Sequence, residues 1–152
     1  DNARITKDLA STAMLMSEGE MIETRLETSE DVTFDDYLKV IEYKTATAFE
    51  VAARTGAIIA NGTEDQIEAL TEYGINLGIA YQIRDDLFDW KNEDKLFNTL
   101  IKKSSDPRDG FNKMESLLKE YAEKARIGLR KIPDSDAKNN LENLIKFTSF
   151  KA

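Results

Sequence analysis

A chain of 152 residues, 41% hydrophobic, with only 7 Gly and 2 Pro, is long enough to bury a core and favours helices. Its net charge of −8 argues against a nucleic-acid surface, which needs clustered Lys and Arg. It has neither His nor Cys, so Ser-His-Asp triads, Cys-His dyads, disulfides and His or Cys zinc sites are excluded; any chemistry must use carboxylates, amides, Lys, Arg, Tyr and bound ions.

The chain opens at Asp1 already inside a helical pattern, so an upstream portion is expected. From about Ile5 to Leu26 the apolar positions Ile5, Leu9, Met16, Ile22 and Leu26 recur at helical spacing. A polar stretch from Thr28 to Thr33 breaks this pattern. Thr33, with Asp36 three residues on, predicts a capping box opening a helix through Tyr37, Ile41, Ala48 and Val51 to about Ala60. Asn61-Gly62 ends it with residues that tolerate a left-handed backbone. Thr63 and Gln66 predict a second box, and that helix continues to about Lys91. Asn92 to Lys95 is polar, and Leu96 to Ile101 is a short apolar piece. Ser105-Asp106-Pro107 predicts a cap followed by Pro in a first turn, with a helix to Lys131. Pro133-Asp134 breaks it, and Ala137 to Phe150 is the last helix. No strand signal or repeat is present. The chain therefore reads as one all-α domain over residues 1–152, a helical bundle. No run of about 20 apolar residues marks a membrane span. No signal-peptide pattern is present, and the lack of Cys fits a reducing cytoplasm.

The Thr63–Lys91 helix carries the strongest chemical signal. At about 100° per residue, Gln82, Asp85, Asp86 and Asp89 point to one side, with Gly78 and Gly74 one and two turns before Gln82. Ile79, Ile83, Leu87 and Trp90 take the opposite side. Three carboxylates within two turns repel one another and need a cation. Oxygen donors without His or Cys suit a hard ion such as Mg²⁺, which keeps waters and shares substrate phosphates. Two helix glycines leave room for something bulky beside the helix. The alternative is a solvated acidic face with the glycines at a close helix crossing. Lys44, in the apolar stripe of the Thr33–Ala60 helix, either snorkels to water or meets an anion across a cleft, with the Thr45 hydroxyl beside it. Gly19-Glu20-Met21-Ile22-Glu23 is a further polar patch, or an exposed last turn.

Together these segments resemble the trans-isoprenyl diphosphate synthases. The resemblance rests on Lys44-Thr45-Ala46, on Ala52-Ala53-x-x-Gly56-Ala57, and on Tyr73-Gly74-x-x-Leu77-Gly78-x-Ala80-Tyr81-Gln82-Ile83-x-Asp85-Asp86-x-x-Asp89. It implies the C-terminal portion of an isoprenoid-synthase helical bundle. The implied activity condenses isopentenyl diphosphate with an allylic prenyl diphosphate, after ionisation assisted by three Mg²⁺ ions. The implied metal ligands are Asp85, Asp86 and Asp89, shared with a first aspartate-rich motif. Lys44, Thr45 and Gln82 are the implied catalytic residues, and Lys44, Gln82, Gly74, Gly78 and Tyr81 the implied substrate contacts. An apolar channel is expected beside Gly74 and Gly78. Gly19 and Glu23 fall on the family's GQxxD-like segment, where Glu20 replaces the common Gln. A homodimer and no nucleic-acid partner are further implications.

Three departures stand out. The first aspartate-rich motif and the upstream basic residues are absent. Trp90 to Lys95 runs directly into Leu96-Phe97-Asn98-Thr99-Leu100, where the family has a longer loop. The basic C-terminal end is reduced to Lys146 and Lys151. These leave a second expectation open: a non-catalytic regulatory or binding subunit of a prenyl diphosphate synthase. The short connection after Asp89 favours it; the complete set of Lys44, Asp85, Asp86 and Asp89 favours the enzyme.

Overall fold

The computed structural model describes residues 2–29, 31–90, 95–104 and 106–148. Seven α-helices and one π-helical turn make up the described residues: α1 (Ala3–Leu26), α2 (Phe34–Ile41), the π turn Glu42–Ala46, α3 (Thr47–Ile59), α4 (Glu64–Asp89), α5 (Lys95–Lys103), α6 (Pro107–Arg130) and α7 (Asp136–Thr148). The helix starts follow the cap chemistry. Thr33 Oγ1 accepts from the Asp36 N–H at 3.1 Å while the Asp36 carboxylate accepts from the Thr33 N–H at 3.0 Å. Thr63 and Gln66 make the same reciprocal pair at the head of α4. Asp106 caps α6 with Pro107 in its first turn. Asn61 is left-handed, with φ 54°, and the next N–H, of Gly62, returns to the Ala57 carbonyl.

Two elements differ from expectation. The helix predicted as one piece from Thr33 to Ala60 contains the π turn, where the Thr47 N–H reaches the Glu42 carbonyl five residues back. The short apolar piece after Asp94 is a helix: Leu96, Phe97, Leu100 and Ile101 share one face and are all buried. Lys91 to Asp94, part of the shortened connection, and Phe150, the predicted end of the last helix, lie outside the described residues.

α4 is the central helix, with α3 on one side and α6 on another. Ile79, Ile83 and Leu87 are buried with Met114, Leu118, Ala125 and Leu129 of α6 and Ile145 of α7 in one core. A fully buried side chain of this size contributes about 1.5–3 kcal/mol. Trp90, expected on the core side, is 40% exposed and meets Phe111 edge-on at 5.1 Å. α1 packs more loosely, with Gly19 its one buried residue, and exposes Leu9, Met14 and Met21. No helix among the described residues is long and apolar enough to cross a membrane.

Tyr73 ties α4 to α7, its hydroxyl donating to the Leu141 carbonyl at 3.1 Å. Burial pushes its phenol up to about 12. Because the folded-state value is raised, this contribution to stability is intact below the ordinary tyrosine range and is lost as pH climbs from about 10 through the folded value. An alkaline absorbance titration is expected to show a late tyrosine phase, and Tyr73→Phe should reduce its amplitude by one phenol. A titration with every phenol ionising together would contradict the buried setting of Tyr73.

Candidate active site

The π turn places the site. It takes more residues per turn than an α-helix, so neighbouring side chains diverge less. Lys44 and Thr45 accordingly both line one small cleft, together with Glu23 from α1, Tyr37 from α2, and Gln82 and Asp86 from α4. α1 can lie this close because residue 19 is glycine. A Cβ there would sit 2.8 Å from the Lys44 backbone nitrogen. A larger open hollow of about 650 Å³ runs along α1 past Met16, Glu20, Met21 and Arg25, with mostly apolar walls.

The Lys44 ammonium meets two glutamates of α1. It donates to Glu23 and lies 3.0 Å from Glu20. Partial burial pulls its pKa down, but the hydrogen bonds and charges of Glu23 and Glu20 outweigh this and hold it above the ordinary lysine range. Lys44 is therefore a cation at any physiological pH. An ammonium has three donors, so the two glutamates leave one N–H for a further anion.

Across the cleft, Thr45 donates to the Gln82 carbonyl oxygen at 3.0 Å, and the Gln82 amide donates to Asp86 Oδ1 at 2.9 Å. The Tyr37 hydroxyl donates to the other oxygen, Oδ2 of Asp86. Asp86, expected as one of three metal ligands, is thus only 5% exposed and turned into the protein. Asp85 behaves differently: its side chain is 37% exposed, with the Arg84 guanidinium 3.3 Å away. That guanidinium lies between the rings of Phe88 and Phe147. Asp89, one turn beyond Asp85, is exposed.

Among the described residues, no group of three or more acidic side chains converges closely enough to hold an ion unaided. The donor chemistry nevertheless fits Mg²⁺. Asp85 and Asp89 offer accessible carboxylate oxygens on successive turns, and Mg²⁺ typically takes one or two carboxylates plus waters and substrate phosphate oxygens.

The expected channel beside Gly74 and Gly78 is corrected. The space in front of both glycines is filled by the neighbouring helical rod. A Cβ on Gly74 would lie 2.6 Å from the Phe49 carbonyl, and one on Gly78 would lie 2.6 Å from Ala46 Cα. The glycines serve the close crossing of α4 with the π turn and α3, which was the other reading of their spacing. Tyr81 packs its ring against Phe49, with centroids 5.3 Å apart.

Tyr37 had been assigned only to an apolar stripe. Two features could have marked it: a buried tyrosine hydroxyl needs a partner, and Tyr37 lies seven residues before Lys44, two turns away on the same face.

An all-α bundle with this cleft has the architecture of the isoprenoid synthases. A solved decaprenyl diphosphate synthase from Rhodobacter capsulatus superposes with a TM-score of 0.84 at 26% identity, covering 97% of this chain and 59% of that one. The polyprenyl synthetase family model matches residues 1–112, and the chain belongs to that family. Among curated relatives, a geranylfarnesyl diphosphate synthase of Aeropyrum pernix is 34% identical over 131 residues, covering 86% of this chain and 39% of that protein. A geranylgeranyl diphosphate synthase of Saccharolobus solfataricus is 38% identical over 96 residues, covering 63% of this chain and 28% of that protein. The chain thus spans well under half the length of these two relatives.

Proposed function

We propose that the protein containing this chain is a Mg²⁺-dependent prenyltransferase that joins isopentenyl diphosphate head-to-tail to an allylic prenyl diphosphate. The observation that carries this reading is one cleft lined by Lys44, Thr45, Gln82 and Asp86, with Asp85 and Asp89 on the same helix as Gln82 and Asp86. The relatives named as diphosphate synthases support it.

Asp85 and Asp89 are the residues that would hold Mg²⁺, which when bound supplies Lewis-acid neutralisation of a leaving diphosphate. Lys44 adds a fixed positive charge for the same leaving group. Glu23 and Glu20 hold its ammonium in place beforehand and are the anions with which a diphosphate competes. The allylic C–O bond breaks heterolytically, with its electron pair leaving on the diphosphate. The double bond of isopentenyl diphosphate attacks the cation, and a proton then passes to the released diphosphate. No protein nucleophile takes part, in keeping with a chain that lacks His and Cys. A homodimer belongs to the same proposal, and the exposed Met14 and Met21, seven residues apart on one side of α1, offer an apolar face for it.

The test is prenyl transfer by the native-length protein, given isopentenyl diphosphate, a series of allylic diphosphates and Mg²⁺, with the lipid products separated by chromatography. A Mg²⁺-dependent longer prenyl diphosphate is expected. No product from the folded protein would favour a regulatory subunit instead. An independent check is thermal unfolding. Mg²⁺ and pyrophosphate added together are expected to raise the melting temperature, with about 2.7 kcal/mol of linkage at a hundred-fold excess over Kd. An unchanged melting temperature at saturation would count against any diphosphate site.

A further inference from the structure

We propose that Tyr37 is a positioning residue for the reaction. Through Asp86 it sets which way the Gln82 amide faces, and hence what Thr45 presents to the cleft. This role rests on the prenyl-transfer reading above.

The two ends of a glutamine amide have nearly the same size, so its neighbours decide its orientation. Here the decision is made by Asp86. Its carboxylate accepts from Tyr37 at Oδ2 and from Gln82 at Oδ1. The Gln82 N–H₂ end must therefore face Asp86, and its carbonyl must face Thr45. Thr45 then commits its only hydroxyl proton to that carbonyl, at 3.0 Å. A hydroxyl whose proton is spent shows lone pairs on its remaining side. The chain Thr45, Gln82, Asp86 thus aligns its dipoles toward a buried carboxylate and offers oxygen, not hydrogen, to the cleft. Such a wall favours a carbon that becomes positive as its diphosphate leaves, and it needs no rearrangement at that moment.

Tyr37 supports this orientation. Asp86 sits near the end of α4, where rotation about its side-chain bonds would exchange the two oxygens or withdraw both from Gln82. The Tyr37 hydroxyl holds the far oxygen. Tyr37 itself is held firmly: it is 1% exposed, its ring packs edge-on against Phe97 of α5 at 6.2 Å, and its N–H bonds the Thr33 carbonyl in the capped first turn of α2. The capping box, the Tyr37 ring and α5 therefore support one carboxylate orientation from outside the cleft. Asp86 accordingly acts on the reacting carbon through Gln82 and Thr45, while Asp85 and Asp89 remain the carboxylates available to an ion.

Four native-length variants test this against wild type: Tyr37→Phe, Asp86→Asn, Asp85→Asn and Thr45→Val. Each is measured for kcat, for KM toward both diphosphates, for melting temperature, and by calorimetry for pyrophosphate affinity in Mg²⁺. Tyr37→Phe keeps the ring against Phe97 and is expected to lower kcat about ten-fold, with KM and pyrophosphate affinity within about two-fold of wild type. Asp86→Asn, whose new amide can donate to Gln82 and reverse it, should lose about 100-fold in kcat with the same unchanged affinity. Asp85→Asn should lose the affinity itself. Tyr37→Phe combined with Thr45→Val should cost little more than the worse single change, because both interrupt one chain.

Two results overturn the proposal: unchanged kcat in Tyr37→Phe, or Asp86→Asn losing as much pyrophosphate affinity as Asp85→Asn. Multiplying losses in the double variant would also do so. If Tyr37→Phe does not fold, the contrast between Asp86→Asn and Asp85→Asn decides alone. Wild-type protein that neither binds Mg²⁺-pyrophosphate nor forms product removes the prenyl-transfer reading, and the Tyr37 role falls with it.

Discussion

Asp85→Ala is expected to reduce turnover by about 10³-fold or more while leaving the helical circular-dichroism spectrum intact. The two halves of that expectation come from different features. The Asp85 side chain is 37% exposed, with the Arg84 guanidinium of its own helix 3.3 Å away. Loss of such a partly exposed pair changes stability by about 1 kcal/mol. Its carboxylate nevertheless offers oxygens that Mg²⁺ can use, and no cage of three acidic groups among the described residues could replace it. Steady-state assays of purified variant and wild type, with melting curves alongside, check both halves. Wild-type turnover in the variant would remove Asp85 from the ion site.

Gly78→Ala is expected to destabilise the bundle by about 1–3 kcal/mol, although alanine is the better helix former by about 1 kcal/mol. Steric contact wins because of what the new methyl group meets. It would lie 2.6 Å from Ala46 Cα and 3.0 Å from Ala46 Cβ, and backbone has no rotamer into which to move. The π turn would have to retreat from α4. Lys44 and Thr45, just before Ala46, would retreat with it, so the 3.0 Å bond from Thr45 to Gln82 should lengthen and activity should fall with stability. Gly56 supplies the control. A Cβ there meets nothing within 4 Å, so Gly56→Ala should stabilise by about 0.5–1 kcal/mol. Urea unfolding of the two variants gives both values. A Gly78→Ala protein as stable as Gly56→Ala would show that the helices are not in the close contact described.

Much of the fold was legible because its signals are local. A Thr followed three residues later by Asp or Gln can satisfy its own helix start, so Thr33–Asp36 and Thr63–Gln66 announce α2 and α4 without reference to the rest of the chain. The same holds for Pro107 at the head of α6 and for Asn61-Gly62 after α3. The α5 helix was harder. Its nine residues are too few to establish a period, and burial against α2 and α6 decides its state. The π turn had no local signal at all, since an i to i+5 bond draws on the same residues as an i to i+4 bond.

The candidate site divides in the same way. Residue type and spacing alone determined that the chain has oxygen and ammonium chemistry without His or Cys, that Asp85, Asp86 and Asp89 share one end of a long helix with Gln82, and that Lys44 interrupts an apolar stripe. Helical periodicity is sufficient for that, because it depends only on neighbours three and four residues away. Only the tertiary structure decided that Gly74 and Gly78 meet backbone and not an open channel, that Glu20 and Glu23 are the anions holding Lys44, and that Asp86 turns inward to Tyr37 and Gln82. Apart from the Gln82–Asp86 bond within α4, each of those outcomes depends on groups 21 to 49 positions apart in sequence, whose approach is set by how closely α1, the π turn and α4 can pack.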